Sequence, residues 1–85
     1  DVAESHGNRG LLLADLGQFT EAEEELRKAL TVFERLAADL PAVPDYRNGL
    51  AATHTNLGRL LAGLGKVAEA EAEYRAGLAL RERLA

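Results

Sequence analysis

Two copies of one helix-turn-helix unit, giving four helices and an all-α fold, are what this sequence predicts, and three observations carry the prediction. Residues 8 to 37 recur 48 positions later as residues 56 to 85, with 17 of 30 residues identical. Apolar and semi-apolar residues recur three and four apart in four separate segments, and no segment alternates with period two. Glycine and proline fall between those segments, where chain breaks are needed. A unit repeated at such a period cannot bury its apolar face alone, so it stacks on its neighbours and presents an extended surface.

The first helix is placed near residues 2 to 16, on the stripe Val2, His6, Arg9, Leu13 and Leu16, and Gly17 closes it. The second is placed near 20 to 38. Thr20 with Glu23 reads as a capping-box pair, and Glu21 to Glu25 put negative charge at the positive end of the helix. Its buried stripe reads Ala22, Leu26, Ala29, Leu30, Phe33 and Leu36. Pro41-Ala42-Val43-Pro44 then separates the units, because neither proline can continue a helix. The third helix, near 45 to 64, repeats the first stripe as Leu50, His54, Leu57, Leu61 and Leu64, and Gly65 closes it. The fourth, near 68 to 84, carries Ala70, Tyr74, Gly77, Leu78, Arg81 and Leu84. Residues 1 to 85 read as one domain, with the first repeat at about 1 to 40 and the second at about 41 to 85.

Small residues at matching places predict close helix contacts. Gly10 with Ala14, and Gly58 with Ala62, let the first helix of each unit approach the second, where Ala22 and Ala70 fill the facing side. Gly77 sits inside a helix at a cost of about 0.5–1 kcal/mol relative to Ala. Close packing accounts for it; the alternative is a neutral exchange for the matching Ala29.

Composition excludes several classes. There is no Cys, hence no disulfide framework and no thiolate metal site, which is compatible with a reducing cytoplasm. Net charge is −4 with no run of Lys or Arg, so no nucleic-acid partner is expected. Apolar runs such as Leu11 to Ala14 are far shorter than the roughly 20 residues of a membrane span, so no membrane partner is expected. The chain begins in mid-pattern without Met, and a fragment of a longer array is the expectation.

The second unit reads Asn56-Leu57-Gly58, Leu61, Leu64-Gly65-Lys66, Glu69-Ala70, Tyr74 and Gly77-Leu78; the first reads Asn8, Gly10, Leu13, Gly17, Ala22, Leu26 and Ala29-Leu30. This succession resembles the tetratricopeptide repeat (TPR) family over nearly the whole chain. The usual period in that family is 34 residues; here it is 48, so 14 extra residues lengthen the two helices by roughly two turns each. The proline that ends the family's second helix is replaced by Glu34 and Glu82. The long period resembles extended repeats of bacterial multidomain proteins, some with kinase domains. The resemblance implies a short right-handed α-solenoid, a bacterial cytoplasmic setting, and a concave groove lined by the first helix of each unit.

In that family, peptide clamps use Asn together with Lys or Arg on the first helices. Asn8 and Asn56 match the asparagines, and an amide there can bond both donors and acceptors of an extended peptide. One turn earlier, where a clamp wants Lys, stand Glu4 and Ala52, so capture of an acidic tail is not expected. Arg59, opposite Leu11 in the other repeat, supplies positive charge to the groove. The alternative is that both asparagines bond neighbouring backbone and Arg59 is solvated.

Other chemistry does not assemble. His6 and His54 occupy equivalent places; a two-histidine metal site or a pH-sensitive contact is the sharper reading, and filling the family's large aromatic position the plainer one. No clustered carboxylate or His-x-x-x-His pair accompanies them, so no metal is expected. Gly63-Leu64-Gly65-Lys66 lacks the spacing and hydroxyl of a phosphate loop, and Ser5 beside His6 has no orienting acid. Glu21, Glu23, Glu24 and Glu25 read as a solvated face. No cofactor and no enzymatic activity are expected.

The leading expectation is therefore a scaffold that binds a peptide or protein segment in the groove carrying Asn8, Asn56 and Arg59. The alternative is a structural module that forms a homo-oligomer through exposed repeat ends, at Tyr74, Leu80 and Leu84. Residues 1 to 40 hold nine acids and four bases, a net −5, while residues 41 to 85 hold five acids and six bases, a net +1. Head-to-tail docking would bring these unlike halves together.

Overall fold

The computed structural model describes residues 2–84, and the side chains of residues 3–82 among them. Four helices follow one another: α1 (Val2–Asp15), α2 (Phe19–Asp39), α3 (Pro44–Gly63) and α4 (Val67–Leu84). Every boundary lies within one residue of its expected place, because the punctuation acts locally. Gly17 and Gly65 adopt φ of 80° and 81°, a left-handed conformation that costs glycine little. At the first, the Gln18 amide donates to the Leu13 carbonyl (2.9 Å) and that of Gly17 to Ala14 (3.0 Å). At the second, Lys66 and Gly65 repeat the pair on Leu61 and Ala62. Both helices thus end in the same Schellman turn. Pro44 occupies the first turn of α3, where its missing N–H costs nothing.

One expected signal does not form. No side chain caps α2: the helix starts at Phe19, and the Ala22 amide donates to the Gln18 carbonyl, so Thr20 is already inside it. Glu23, instead of folding back onto a cap, accepts from Arg27 Nε at 3.0 Å and lies 3.6 Å from Lys66 Nζ.

Within each unit the two helices pair, α1 on α2 and α3 on α4, and α2 packs on α3 to join the units. Among the described residues α1 touches α3 along one side, whereas α2 and α4 do not meet. The row therefore bends toward α1 and α3 and leaves a hollow between them. Two apolar clusters hold it together. One joins Ala22 and Leu26 of α2 to Leu57, Leu60 and Leu61 of α3 and Ala70 of α4; the other joins Ala3, Ala29, Phe33 and Leu50. Leu26, Leu57 and Leu61 are fully buried, each stabilising the fold by about 1.5–3 kcal/mol.

The glycines sit at close approaches. A Cβ on Gly10 would stand 2.8 Å from Leu26 Cγ and 3.3 Å from the Ala22 carbonyl, and one on Gly58 would stand 3.2 Å from that of Ala70. The expected contact with Ala22 and Ala70 is thus made, although Ala62 is exposed and takes no part in it. At Gly77 a Cβ would stand 3.0 Å from the Ala51 carbonyl of α3, so close packing accounts for this glycine.

His6 Nδ1 lies 2.6 Å from Glu25 Oε2, and His54 Nδ1 lies 2.6 Å from Glu73 Oε2. Both pairs span 19 residues and tie the first helix of a unit to the second. The histidines are thus polar ties across each helix pair.

Candidate functional site

The faces that α1 and α3 turn toward each other are the same stripe written twice. Glu4, Asn8, Leu11 and Asp15 line the hollow from α1, and Ala52, Asn56, Arg59 and Gly63, each 48 positions later, line it from α3. Spacings of four, three and four keep each set on one side of its helix. Only the asparagine is common to both copies. The remaining positions differ in size and charge, so the two walls are not alike.

The hollow has two compartments that share Leu11 and Asn56. The first, of about 390 Å³, lies toward the start of α1 and α3 and is lined by Glu4, Asn8, Asp45, Asn48, Thr53 and Asn56, with Phe33 of α2 as its floor. Gly49 makes that floor attainable, since a Cβ there would fall 2.3 Å from Phe33 Cε1. The second, of about 370 Å³, is lined by Leu11, Ala14, Phe19, Leu26 and Leu60, with Asp15 and Arg59 supplying opposite charges.

Asn8 and Asn56 both line the first compartment, and Asn56 and Arg59 both line the second, so the fold brings the three expected groove residues into one continuous depression. Among the described residues, their side chains form no hydrogen bond or ion pair. In contrast, Thr53 and Thr55 donate to the Gly49 and Ala51 carbonyls of their own helix, at 2.7 and 3.1 Å. The asparagines thus do not bond neighbouring backbone, and their donors and acceptors face the hollow's solvent.

Of the residues placed on the open repeat end, Tyr74 is 39% exposed. Leu80 is half-buried and packs against the cluster of Phe33 and Leu50. The side chain of Leu84 lies outside the described residues. Leu78, which the helical spacing places in the buried stripe, is 58% exposed, whereas the partly exposed Tyr74 ring lies over Gly58 of α3, where a Cβ would stand 3.1 Å from it.

Electrostatics concentrate between α1 and α2. The His6 hydrogen bond holds the Glu25 carboxyl below its ordinary value, against a smaller opposing effect of burial, and Lys28, His6 and Arg9 add charge attraction in the same direction. Lys28 Nζ lies 3.5 Å and Arg9 Nη1 3.9 Å from Glu25 Oε1. Sequence reasoning missed this cluster and its counterpart at Glu73. A signal was present: Glu25 and Glu73 are among the identities of the repeat, each 19 residues after a repeated histidine.

The tetratricopeptide repeat family model matches residues 1–83. No curated protein matches the chain. With the family model covering almost its entire length, and the repeated helix pairs and their Schellman turns in place, this chain belongs to the tetratricopeptide repeat family.

Proposed function

We propose that this chain is a non-enzymatic scaffold that binds an extended segment of a protein partner in the groove between α1 and α3. Tetratricopeptide repeats generally mediate protein–protein interaction, and among the described residues no helix is long and apolar enough to cross a membrane. The observation that carries the reading is the set of unengaged polar groups, Asn8, Asn56 and Arg59, along one depression that also carries apolar surface from Leu11, Phe19, Phe33 and Leu60. An amide on each wall offers a donor and an acceptor to a peptide backbone, and the apolar walls take its side chains.

Binding by so small a groove is weak, about 0.1–1 mM for short peptides. The test is titration of mixed-sequence nonapeptides against the native chain and an Asn8→Ala, Asn56→Ala variant, with circular dichroism on both. The expected result is saturable binding that the double variant loses by about tenfold at unchanged helicity. Equal binding by the two proteins would refute the groove.

A second reading has its own observation. On α4, Leu78 and part of the Tyr74 ring are open to solvent, whereas the equivalent Leu30 and Leu26 of α2 pack against α3. Likewise Leu12 of α1 is 59% exposed while its equivalent Leu60 is 7% exposed. Docking of one copy's α1 on another copy's α4 would repeat the α2–α3 joint, and such a head-to-tail contact does not close on itself. Light scattering across a concentration series tests it. Growth beyond a dimer, abolished by Leu78→Glu, supports assembly; a monomer at all concentrations removes it.

A further inference from the structure

The two compartments of the groove differ in chemistry, and the difference specifies a ligand. Among the described residues no Lys or Arg lines the first compartment, which instead holds the carboxylates of Glu4 and Asp45 beside the amides of Asn8, Asn48 and Asn56. Asp45 lies in the first turn of α3, is exposed, and forms no ion pair among the described residues. The second compartment is walled by Leu11, Phe19, Leu26 and Leu60, and its Asp15 and Arg59 cancel in net charge. One end of the groove thus favours a cation and the other a bulky apolar side chain.

We propose that the groove selects an extended segment bearing a Lys or Arg side chain for the first compartment and a Leu-sized or aromatic side chain for the second. This rests on the groove reading above and adds the ligand's chemistry to it. The spacing follows from the helix. Asp45 and Leu60 are 15 residues apart on α3, about 22 Å at a rise of 1.5 Å per residue. An extended chain covers that distance in about seven residues at roughly 3.3 Å each. A long basic side chain reaches back several ångströms, so the two anchors fall about four to six residues apart. The asparagines shared by both walls lie between them and meet the intervening backbone.

The probes are pools of acetylated, amidated nonapeptides with Arg and Leu fixed four to six positions apart in either order, and Gly, Ser, Thr or Asn elsewhere. Matched pools carry Glu in place of Arg, or Ser in place of Leu. Binding is followed at about 0.15 M salt, where distant surface charge is largely screened. The expected result is that the Arg/Leu pools bind at least fivefold more tightly than either matched pool. Asp45→Asn is expected to remove most of the Arg preference, whereas Asp39→Asn, which takes the same charge from the end of α2, leaves it. If Asp45→Asn loses helicity, Glu4→Gln and the peptide exchanges carry the same test. Equal or tighter binding of the Glu/Leu pools, or an Arg preference indifferent to both groove acids, would overturn this inference and leave the groove reading standing. Failure of every pool to bind would overturn both.

Discussion

Helices α2 and α4 occupy the same place in successive copies of one unit, yet they live in different surroundings. α2 lies between α1 and α3, while among the described residues α4 packs on α3 alone. The side each turns to its own partner is buried in both: Ala22 and Ala70, Ala29 and Gly77. The rest of the stripe differs at every step. Leu26 is 1% exposed and Tyr74 39%; Phe33 is 7% exposed, and Arg81 at its counterpart is open to solvent. The substitutions follow the surroundings, since a phenol edge and a guanidinium tolerate water where Leu and Phe would not. Burial in this chain is therefore a property of neighbours as much as of pattern.

The largest effects should appear where that asymmetry is greatest. Leu26→Ala removes a fully buried side chain at the joint of the two units and should cost about 2–5 kcal/mol in urea unfolding. Tyr74→Ala, at the equivalent site, should cost about 1 kcal/mol, as expected of a partly exposed side chain. Equal losses at the two sites would break the comparison, and would mean that α4 has a covering partner in solution.

Glycine positions sharpen it at smaller scale. Gly77→Ala places a Cβ 2.9 Å from Thr55 Oγ1 and 3.0 Å from the Ala51 carbonyl, so overpacking of about 1–3 kcal/mol outweighs a helix-propensity gain of about 0.5–1 kcal/mol. Gly7→Ala meets nothing within 4 Å and should gain that propensity term as a rise in melting temperature. If both substitutions stabilise, α3 and α4 are not as close as described.

The smallest effect is electrostatic and belongs to the first unit. Because Glu25 is held below its ordinary carboxyl value of 4.5, the folded state binds its proton less readily than the unfolded chain does. The resulting stabilisation is fully present above about pH 4.5, and is lost as pH falls from there through the lowered folded value. Stability of the native chain should thus drop more steeply between pH 4.5 and acid than that of Glu25→Gln. Parallel curves would show that the His6–Glu25 contact contributes nothing.

Much of this was legible in the sequence, for identifiable reasons. Gly17, Gly65 and Pro44 act within a turn of their own positions, so helix limits could be read from them. The repeat offset placed Asn8 and Asn56 on matching faces, and the fold sets those faces against one hollow. What escaped depends on contacts between helices. Periodicity put Leu78 in a buried stripe because it cannot register that, among the described residues, α2 has two helix neighbours and α4 one, and it gave no hint that Leu80 turns toward the Phe33 cluster. The His–Glu ties join residues 19 apart, a separation with no helical period behind it. Thr20 and Glu23 have the right spacing for a cap, but Phe19 already takes helical geometry and moves the start past them.

Mapping of backbone amide signals during peptide titration tests the central claim most directly, because it separates the α1–α3 groove from the open side of α4 in one experiment. The account predicts perturbations centred on Asn8, Leu11, Asn56 and Arg59, with Tyr74 and Leu78 unmoved. Perturbations centred on Tyr74 and Leu78, with the groove silent, would contradict it.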